Sequence, residues 1–354
     1  MQALSPNDII DFVEAIAIKN NEPVFIWGKP GIGKSAIMKQ LTKRTLSRSI
    51  MDLFGVTKKT MRLVDIRLSQ YDSVDLRGIP DVQNGRTVWN VPSTMPFEGN
   101  DAFPDDELIV LFFDEMNAAT PAVSAVAYQI IHDRACGEHN IKRNVVIVGA
   151  GNREGDKGVV NRMPLPLANR MTHIEAEVSV DSWSLWAQNN DIPPEGIAFI
   201  NFRKIDVLNT FDPSKPEKAF ATPRTWEKAL KYYRSDIPMH LKQAAMAGAV
   251  GDGPAAEFWG FVDVWSKMIS LDKIEKNPDT VDVPTDAAMR YAMTMAISGS
   301  LTAKNIAAFY VYLKRMPAEF PVLAMQMAMK RDDKLFATPT FVSFAKDYKA
   351  IFQA

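Results

Sequence analysis

A glycine-rich loop near the amino terminus constrains the fold of this chain more than any other stretch. The loop reads Gly28-Lys-Pro-Gly-Ile-Gly-Lys-Ser35; it follows the apolar run Val24–Trp27 and precedes a helix-like run from Ser35 to Lys43. A strand, a glycine loop and a helix in that order are the context of a phosphate-binding loop. The glycines let successive backbone N–H groups point at one anion, and the helix N-terminus adds its dipole. The sequence therefore predicts a nucleotide site.

Two residues at the end of the loop have predicted roles of their own. Lys34 is expected to reach the β- and γ-phosphates, and Ser35 is expected to hold Mg²⁺. The predicted nucleotide-binding residues are Gly28, Pro30, Gly31, Ile32, Gly33, Lys34, Ser35 and Ala36.

A second motif places two carboxylates after an apolar run, Leu108-Ile-Val-Leu-Phe-Phe-Asp114-Glu115. The run predicts a buried strand, and ligands of open α/β sheets bind at the carboxyl ends of the strands. Asp114 there can bind Mg²⁺ directly or through water, and Glu115 can polarise an attacking water. Taken alone, the motif also fits a strand followed by a solvated acidic turn. Because it lies about eighty residues after a phosphate-binding loop, we favour the catalytic interpretation.

Four further polar residues are candidates for the site. Asn152 ends the strand-like run that begins at Val145, where a neutral amide can orient water, although asparagine is also a common turn residue. Two Asn-Arg-Met tripeptides contain Arg162 and Arg170, and either arginine can neutralise charge on a phosphoryl group or lie unpaired on a loop. Arg224 follows Thr222-Pro223, a helix-start pattern.

Composition and periodicity divide the chain near residue 178. Before it, strand-like runs alternate with helical segments, which predicts an α/β domain with a parallel sheet over residues 1–178. Residues 179–354 have helical periodicity only and predict a helical lid followed by a C-terminal helical region. The predicted strands are Val24–Trp27, Arg62–Leu68, Ile109–Asp114, Val145–Ala150 and Thr172–Val178. The predicted helices of the second region are Ser182–Asn189, Pro223–Arg234, Glu257–Met268, Ala287–Ile297, Asn305–Met316 and Thr340–Phe352.

Three features of the sequence indicate the cellular location of the protein and the partners it can attract. The net charge of −1 provides no global attraction to nucleic acid or to anionic membranes. The single Cys136 excludes an internal disulfide, and we expect it to be buried. There is no signal-peptide pattern, and the longest apolar run, Leu108–Phe113, is too short to span a bilayer. These features predict a cytoplasmic protein.

The order of these motifs resembles the AAA+ ATPases, and the nearest branch is the MoxR-like one. Asp114-Glu-Met-Asn-Ala-Ala-Thr-Pro121 resembles that branch's Asp-Glu-Ile-Asn-Arg-Ala-x-Pro signature, with Ala118 in place of the arginine. Asp75-Leu-Arg-Gly78 resembles the segment before the family's inserted hairpin, here expected within about residues 72–107, with Asn84-Gly85 at its turn. The resemblance covers roughly residues 5 to 235, and nothing beyond Arg234 matches the family.

The resemblance implies roles for the remaining residues. It implies the P-loop NTPase fold of the AAA+ type, ATP and Mg²⁺ as cofactors, and a homo-oligomeric ring that is a hexamer. Asn152 corresponds to sensor 1, Arg170 to the arginine finger acting across the subunit interface, and Arg224 to sensor 2. Arg162 is the alternative finger.

The function predicted from these features is a ring-forming ATPase that uses ATP hydrolysis to remodel a protein partner. A von Willebrand factor A domain protein is the partner that the family resemblance suggests. Two alternatives stay open: an AAA+ motor or loader that acts on nucleic acid, and a nucleotide-gated scaffold with little turnover. Glu115 argues against the scaffold, because a scaffold needs no general base.

Overall fold

The structure is a computed structural model of the 354-residue chain, and it describes residues 1–153, 155–156, 161, 163–215 and 217–349. The chain divides into two compact units, Met1–Glu177 and Val178–Ala354. Among the described residues, no helix combines the length and the apolar composition needed to cross a bilayer.

Short strands in the first unit form a parallel sheet and two antiparallel hairpins. The described strands are β1 (Ala3–Leu4), β2 (Val24–Trp27), β3 (Met61–Arg67), β4 (Ile79–Gln83), β5 (Arg86–Asn90), β6 (Leu108–Asp114), β7 (Ala135–Cys136), β8 (His139–Asn140), β9 (Val145–Gly151) and β10 (Thr172–Ala176). Six of these form the main sheet, in the order β1-β10-β2-β9-β6-β3, and every neighbouring pair is parallel. Strands β6 and β9 are buried along their whole length, as expected for the centre of a parallel sheet.

Helices connect the strands of the first unit. They are α1 (Pro6–Val13), which continues as a π-helix over Glu14–Lys19, α2 (Lys34–Leu41), α3 (Arg48–Phe54), α4 (Ser73–Arg77), α5 (Pro121–Asp133) and α6 (Leu165–Ala168). Helix α5 packs its apolar residues Val123, Ala127 and Ile130 against one face of the sheet, in a cluster with Leu111 and Ile147. The predicted α/β class with a parallel sheet is confirmed.

The sequence predicted the main sheet closely, with one omission. All five predicted strands are present, with bounds within two residues; the strand predicted over Thr172–Val178 ends at Ala176. Strand β1 was missed because its two residues are too short for any alternation to show.

The hairpin β4–β5 has the turn that Asn-Gly favours. Asn84 and Gly85 both have positive φ angles, 51° and 74°, as a type I′ turn requires. Trp89 lies opposite Pro80, and the Arg77 guanidinium lies 5.7 Å from the centre of its ring. Trp89 therefore has a cross-strand neighbour on the hairpin itself.

Helices make up the described secondary structure of the second unit. They are α7 (Val180–Gln188), α8 (Pro194–Arg203), α9 (Ile205–Leu208), α10 (Pro223–Arg234), α11 (Met239–Val250), α12 (Asp252–Ser266), α13 (Leu271–Lys276), α14 (Ala287–Ser300), α15 (Ile306–Leu313), α16 (Glu319–Arg331) and α17 (Pro339–Asp347). Helix α10 has the predicted bounds. Helix α12 begins five residues before the predicted Glu257, because Pro254 lies in the first turn, where proline is tolerated.

Other helix predictions in this unit were wrong in their bounds or missing. The helix predicted over Thr340–Phe352 ends at Asp347 among the described residues. Helices α8, α9, α11 and α13 were not predicted, and of α16 only the stretch Met325–Met329 was expected to be a core-packed helix. Met325 and Met327 in α16 are buried, so this methionine-rich stretch packs in the core.

Candidate nucleotide site

Three strand ends meet at one edge of the main sheet. Strand β9 lies between β2 and β6, and in a parallel sheet the carboxyl ends of neighbouring strands share an edge. Gly28 follows β2, Asp114 ends β6, and Asn152 follows β9. The sheet thus brings the glycine loop, the acidic pair and the strand-terminal amide to the edge where ligands of open α/β sheets bind.

The glycine loop has the backbone conformation that its glycines permit. Gly31 and Gly33 have φ angles of 77° and 99°, in the left-handed region that side chains rarely adopt. Helix α2 begins directly after Gly33, at Lys34, so its unpaired N-terminal N–H groups and its dipole lie at the loop.

Lys34 joins the loop to the end of β9. Its ammonium donates hydrogen bonds to the Gly28 carbonyl oxygen at 2.7 Å and to Asn152 Oδ1 at 3.0 Å. The side chain is 8% exposed, so its charge lies in a largely desolvated place. There it would attract an anion more strongly than an exposed lysine would.

Ser35 and Asp114 bring two oxygen ligands together. Ser35 Oγ donates a hydrogen bond of 2.7 Å to Asp114 Oδ2, across 79 residues of sequence. Hydroxyl and carboxylate oxygens are ligands that Mg²⁺ accepts, so this pair fits the predicted metal site. The pKa of Asp65 is raised above its ordinary value, chiefly because the carboxyl group is partly removed from water and to a lesser degree because the Asp114 carboxylate is nearby. A second carboxyl group on β3 thus lies close enough to Asp114 for repulsion, which a bound cation would offset.

Glu115 has a backbone conformation that separates its carboxylate from that of Asp114. Its φ and ψ angles are 52° and 32°, a left-handed conformation that costs a residue with a side chain about 1–3 kcal/mol. Asp114 Oδ1 accepts the Glu115 backbone N–H at 2.9 Å, while the Glu115 carboxylate accepts a hydrogen bond from the Ser69 hydroxyl. The two neighbouring carboxylates therefore have different partners, one facing the loop serine and the other facing Ser69.

Ser69 was not identified from the sequence, but its hydrogen bond to Glu115 is expected to affect the rate of hydrolysis. The hydroxyl occupies part of the hydrogen-bonding capacity of the Glu115 carboxylate, which a base needs for water. We expect Ser69→Ala to raise basal ATP hydrolysis about tenfold, since a hydrogen bond to a charged group contributes about 1.5–3 kcal/mol and an exposed one lies at the lower end of that range. Steady-state phosphate release measures the rate, with unchanged ATP affinity as the control. A lower rate at unchanged affinity would mean that Ser69 positions Glu115 for catalysis instead.

Asn117 fixes the end of β9 from the neighbouring loop. Its side chain donates to the Asn152 carbonyl oxygen at 2.7 Å and accepts the Asn152 N–H at 3.3 Å. A Cβ added to Gly151 would lie 2.4 Å from Asn117 Oδ1, so only glycine leaves room for this contact. The Asn161 N–H donates to the Asn117 carbonyl oxygen at 2.6 Å, which holds Asn161 against the same loop. Asn117 was identified from the sequence only as part of the Asp114–Pro121 motif.

The three candidate arginines have different placements. Arg162 lies outside the described residues. Arg170 is exposed and lines a cleft of ≈ 360 Å³ beside Pro23 and Thr172, which lie at the amino ends of β2 and β10. The cleft is therefore at the edge of the sheet opposite the glycine loop. Arg224 is the second residue of α10 in the second unit, where its side chain is exposed.

The strand order and the loop geometry define the first unit as an α/β unit of the P-loop NTPase fold. No protein-family model matches the sequence, and no curated protein matches it.

Solved structures that resemble the chain do so at low identity. They include NtrX from Brucella abortus, at 12% identity over 92% of this chain and 69% of that one, with a TM-score of 0.39. A RuvB P216G mutant from Thermotoga maritima is 15% identical over 78% of this chain and 79% of that one, with a TM-score of 0.33. PCH-2 from C. elegans is 12% identical over 92% of this chain and 69% of that one, with a TM-score of 0.32. At these scores the likeness carries no argument about activity.

Proposed function

We propose that this protein is an ATPase of the AAA+ type that assembles into a ring and uses ATP hydrolysis to remodel a protein partner. The observation that supports this most is the 2.7 Å contact between Ser35 and Asp114. It joins the helix after a glycine loop to the acidic end of a buried strand, the two parts that hold a nucleotide-bound Mg²⁺.

The residues of the site divide the work of phosphoryl transfer to water. The loop N–H groups and Lys34 bind the phosphates, and Ser35 and Asp114 hold Mg²⁺, which supplies neutralisation of phosphate charge. Glu115 accepts a proton from the attacking water, and Asn152 orients that water by its amide. Arg224, at the start of α10, senses the nucleotide state and transmits it to the helical unit.

Arg170 is proposed to act on the nucleotide of a neighbouring subunit. Within its own unit, Arg170 lies near the amino end of β2, whereas Gly28 follows the carboxyl end of that strand. Strand β2 has four residues, and at about 3.3 Å per residue it places roughly 13 Å between these two edges. Arg170 is also exposed, so a neighbouring subunit can meet it.

Mixing two inactive variants tests whether Arg170 or Arg162 acts on the nucleotide of the neighbouring subunit. We expect Arg170→Ala to bind ATP but barely hydrolyse it, since a trans arginine contributes about 10³–10⁵ to the rate. Lys34→Ala subunits bind ATP only weakly but present an intact Arg170, so mixing the two inactive proteins should restore phosphate release. The same experiment with Arg162→Ala is the matched control. If Arg162→Ala is rescued in this way and Arg170→Ala is fully active, the assignment is reversed.

Assembly should depend on nucleotide. If two subunits share each site, ATP binds the assembled state preferentially and stabilises it by mass action. We expect light scattering of Glu115→Gln to shift from small species to a ring, which the family resemblance makes a hexamer, when ATP and Mg²⁺ are added. A strict monomer under every nucleotide condition and concentration would contradict a shared site.

The β4–β5 hairpin supports a protein partner. Ile79 and Val82 are 66% and 73% exposed on it, which leaves apolar side chains available for contact. A von Willebrand factor A domain protein is the partner suggested by the MoxR-like resemblance.

For the alternative of a nucleic-acid motor, binding of a labelled DNA or RNA strand should weaken steeply with salt.

A further inference from the structure

The imidazole of His173 connects the phosphate-binding side of the first unit to the segment that contains Arg170. His173 lies on β10, where it pairs in register with Phe25 of β2. Trp27 Nε1 lies 3.0 Å from His173 Nδ1, and His173 Nε2 lies 2.7 Å from the Ala168 carbonyl oxygen. The half-buried imidazole and the indole are also stacked, with ring centres 6.0 Å apart.

These two contacts indicate which nitrogen of the ring accepts a hydrogen bond and which donates one. An indole N–H can only donate, so Nδ1 must present its lone pair to Trp27. The proton of the neutral ring then lies on Nε2, which donates it to the Ala168 carbonyl oxygen. His173 is therefore an acceptor towards one partner and a donor towards the other, and each partner is held by a different nitrogen.

The two partners are next to functional segments. Trp27 is the last residue of β2 and directly precedes Gly28 of the glycine loop. Ala168 is the last residue of α6, and the Arg170 N–H donates to the Leu167 carbonyl oxygen at 2.9 Å, which closes a tight turn. Little free chain therefore separates the Ala168 contact from Arg170.

We infer that His173 is a positioning residue that holds the Arg170 segment at a fixed place relative to the strand end from which the glycine loop begins. The inference rests on the proposed role of Arg170 in a neighbouring site. It assigns His173 an effect on the neighbour's hydrolysis, exerted through Arg170, and no contact with the nucleotide of its own subunit.

The test uses His173→Phe, which keeps an aromatic ring and removes both hydrogen bonds. ATP affinity should stay within about twofold. Hydrolysis should fall about five- to tenfold, as expected when the hydrogen bond to Ala168, which holds the Arg170 segment, is lost at about 1 kcal/mol or slightly more. Mixing with Lys34→Ala subunits should then give phosphate release above the sum of the two proteins alone. The Lys34→Ala neighbours supply an intact His173 and Arg170, so the sites of the His173→Phe subunits regain their finger.

A merely structural role would not be rescued in this way. If His173→Phe loses activity and mixing restores none of it, while Arg170→Ala is rescued, the inference fails and the proposed function stands. If Arg170→Ala itself is fully active, the finger assignment and the inference both fail. If His173→Phe does not fold, Trp27→Phe replaces it in the test, because this change removes only the indole donor. Rescue of Trp27→Phe by Lys34→Ala subunits supports the inference, and a defect without rescue overturns it.

Discussion

Replacing Lys34 with alanine is expected to weaken ATP binding about 10- to 100-fold. The buried ammonium lies within hydrogen-bond distance of Gly28 and Asn152, and losing a charge-assisted contact to phosphate removes about 1.5–3 kcal/mol. Calorimetric titration with ATP and Mg²⁺ measures the effect. The matched control is Lys39→Ala, which removes the same charge from an exposed position of the same helix and should bind normally. Equal affinities for the two variants would exclude Lys34 from phosphate binding.

Replacing Glu115 with glutamine is expected to separate binding from hydrolysis. The amide keeps the shape of the side chain and can still accept the Ser69 hydrogen bond, but it cannot take a proton from water. ATP affinity should be unchanged, while phosphate release should fall by roughly two orders of magnitude or more, the usual contribution of a general base. Glu138→Gln makes the same chemical change at an exposed turn residue and should leave both quantities unchanged. Wild-type turnover in Glu115→Gln would remove the glutamate from its assigned role.

The parts of the site that could be predicted from the sequence are the ones with local signals. The glycine loop is flanked by a strand and a helix, and Asp114 follows a wholly apolar run, so each motif carries its own structural context. The structure places Ser35 against Asp114, the two residues that the sequence predicted to hold Mg²⁺ together. It also places Lys34 against Asn152, a contact that the sequence did not predict.

The parts that could not be predicted depend on tertiary contacts or on rare backbone conformations. Ser69 meets Glu115 only because β3 and β6 are neighbours, and a serine after a strand has no local feature that predicts such a partner. Asn117 resembles an ordinary turn residue in the sequence, because its partner Asn152 follows β9 and lies beside it only in the folded structure. The left-handed conformation of Glu115 has no sequence signal either, because glutamate is not a residue that favours it.

The fold of the second unit was less predictable for a physical reason. Helix α11 is apolar on several sides, so its sequence shows no stripe with a period of 3.6 residues. By contrast, α10 has a strong one-sided pattern, a threonine cap and a proline in its first turn, and its bounds were predicted without error.

Phosphate release from ATP and Mg²⁺ by the wild-type protein, measured over a range of protein concentrations, tests the central claim most directly. A shared site in a ring predicts turnover per subunit that rises with protein concentration and is lost in Lys34→Ala. A wild-type protein that binds ATP but releases no phosphate at any concentration would contradict the account and favour a nucleotide-gated scaffold.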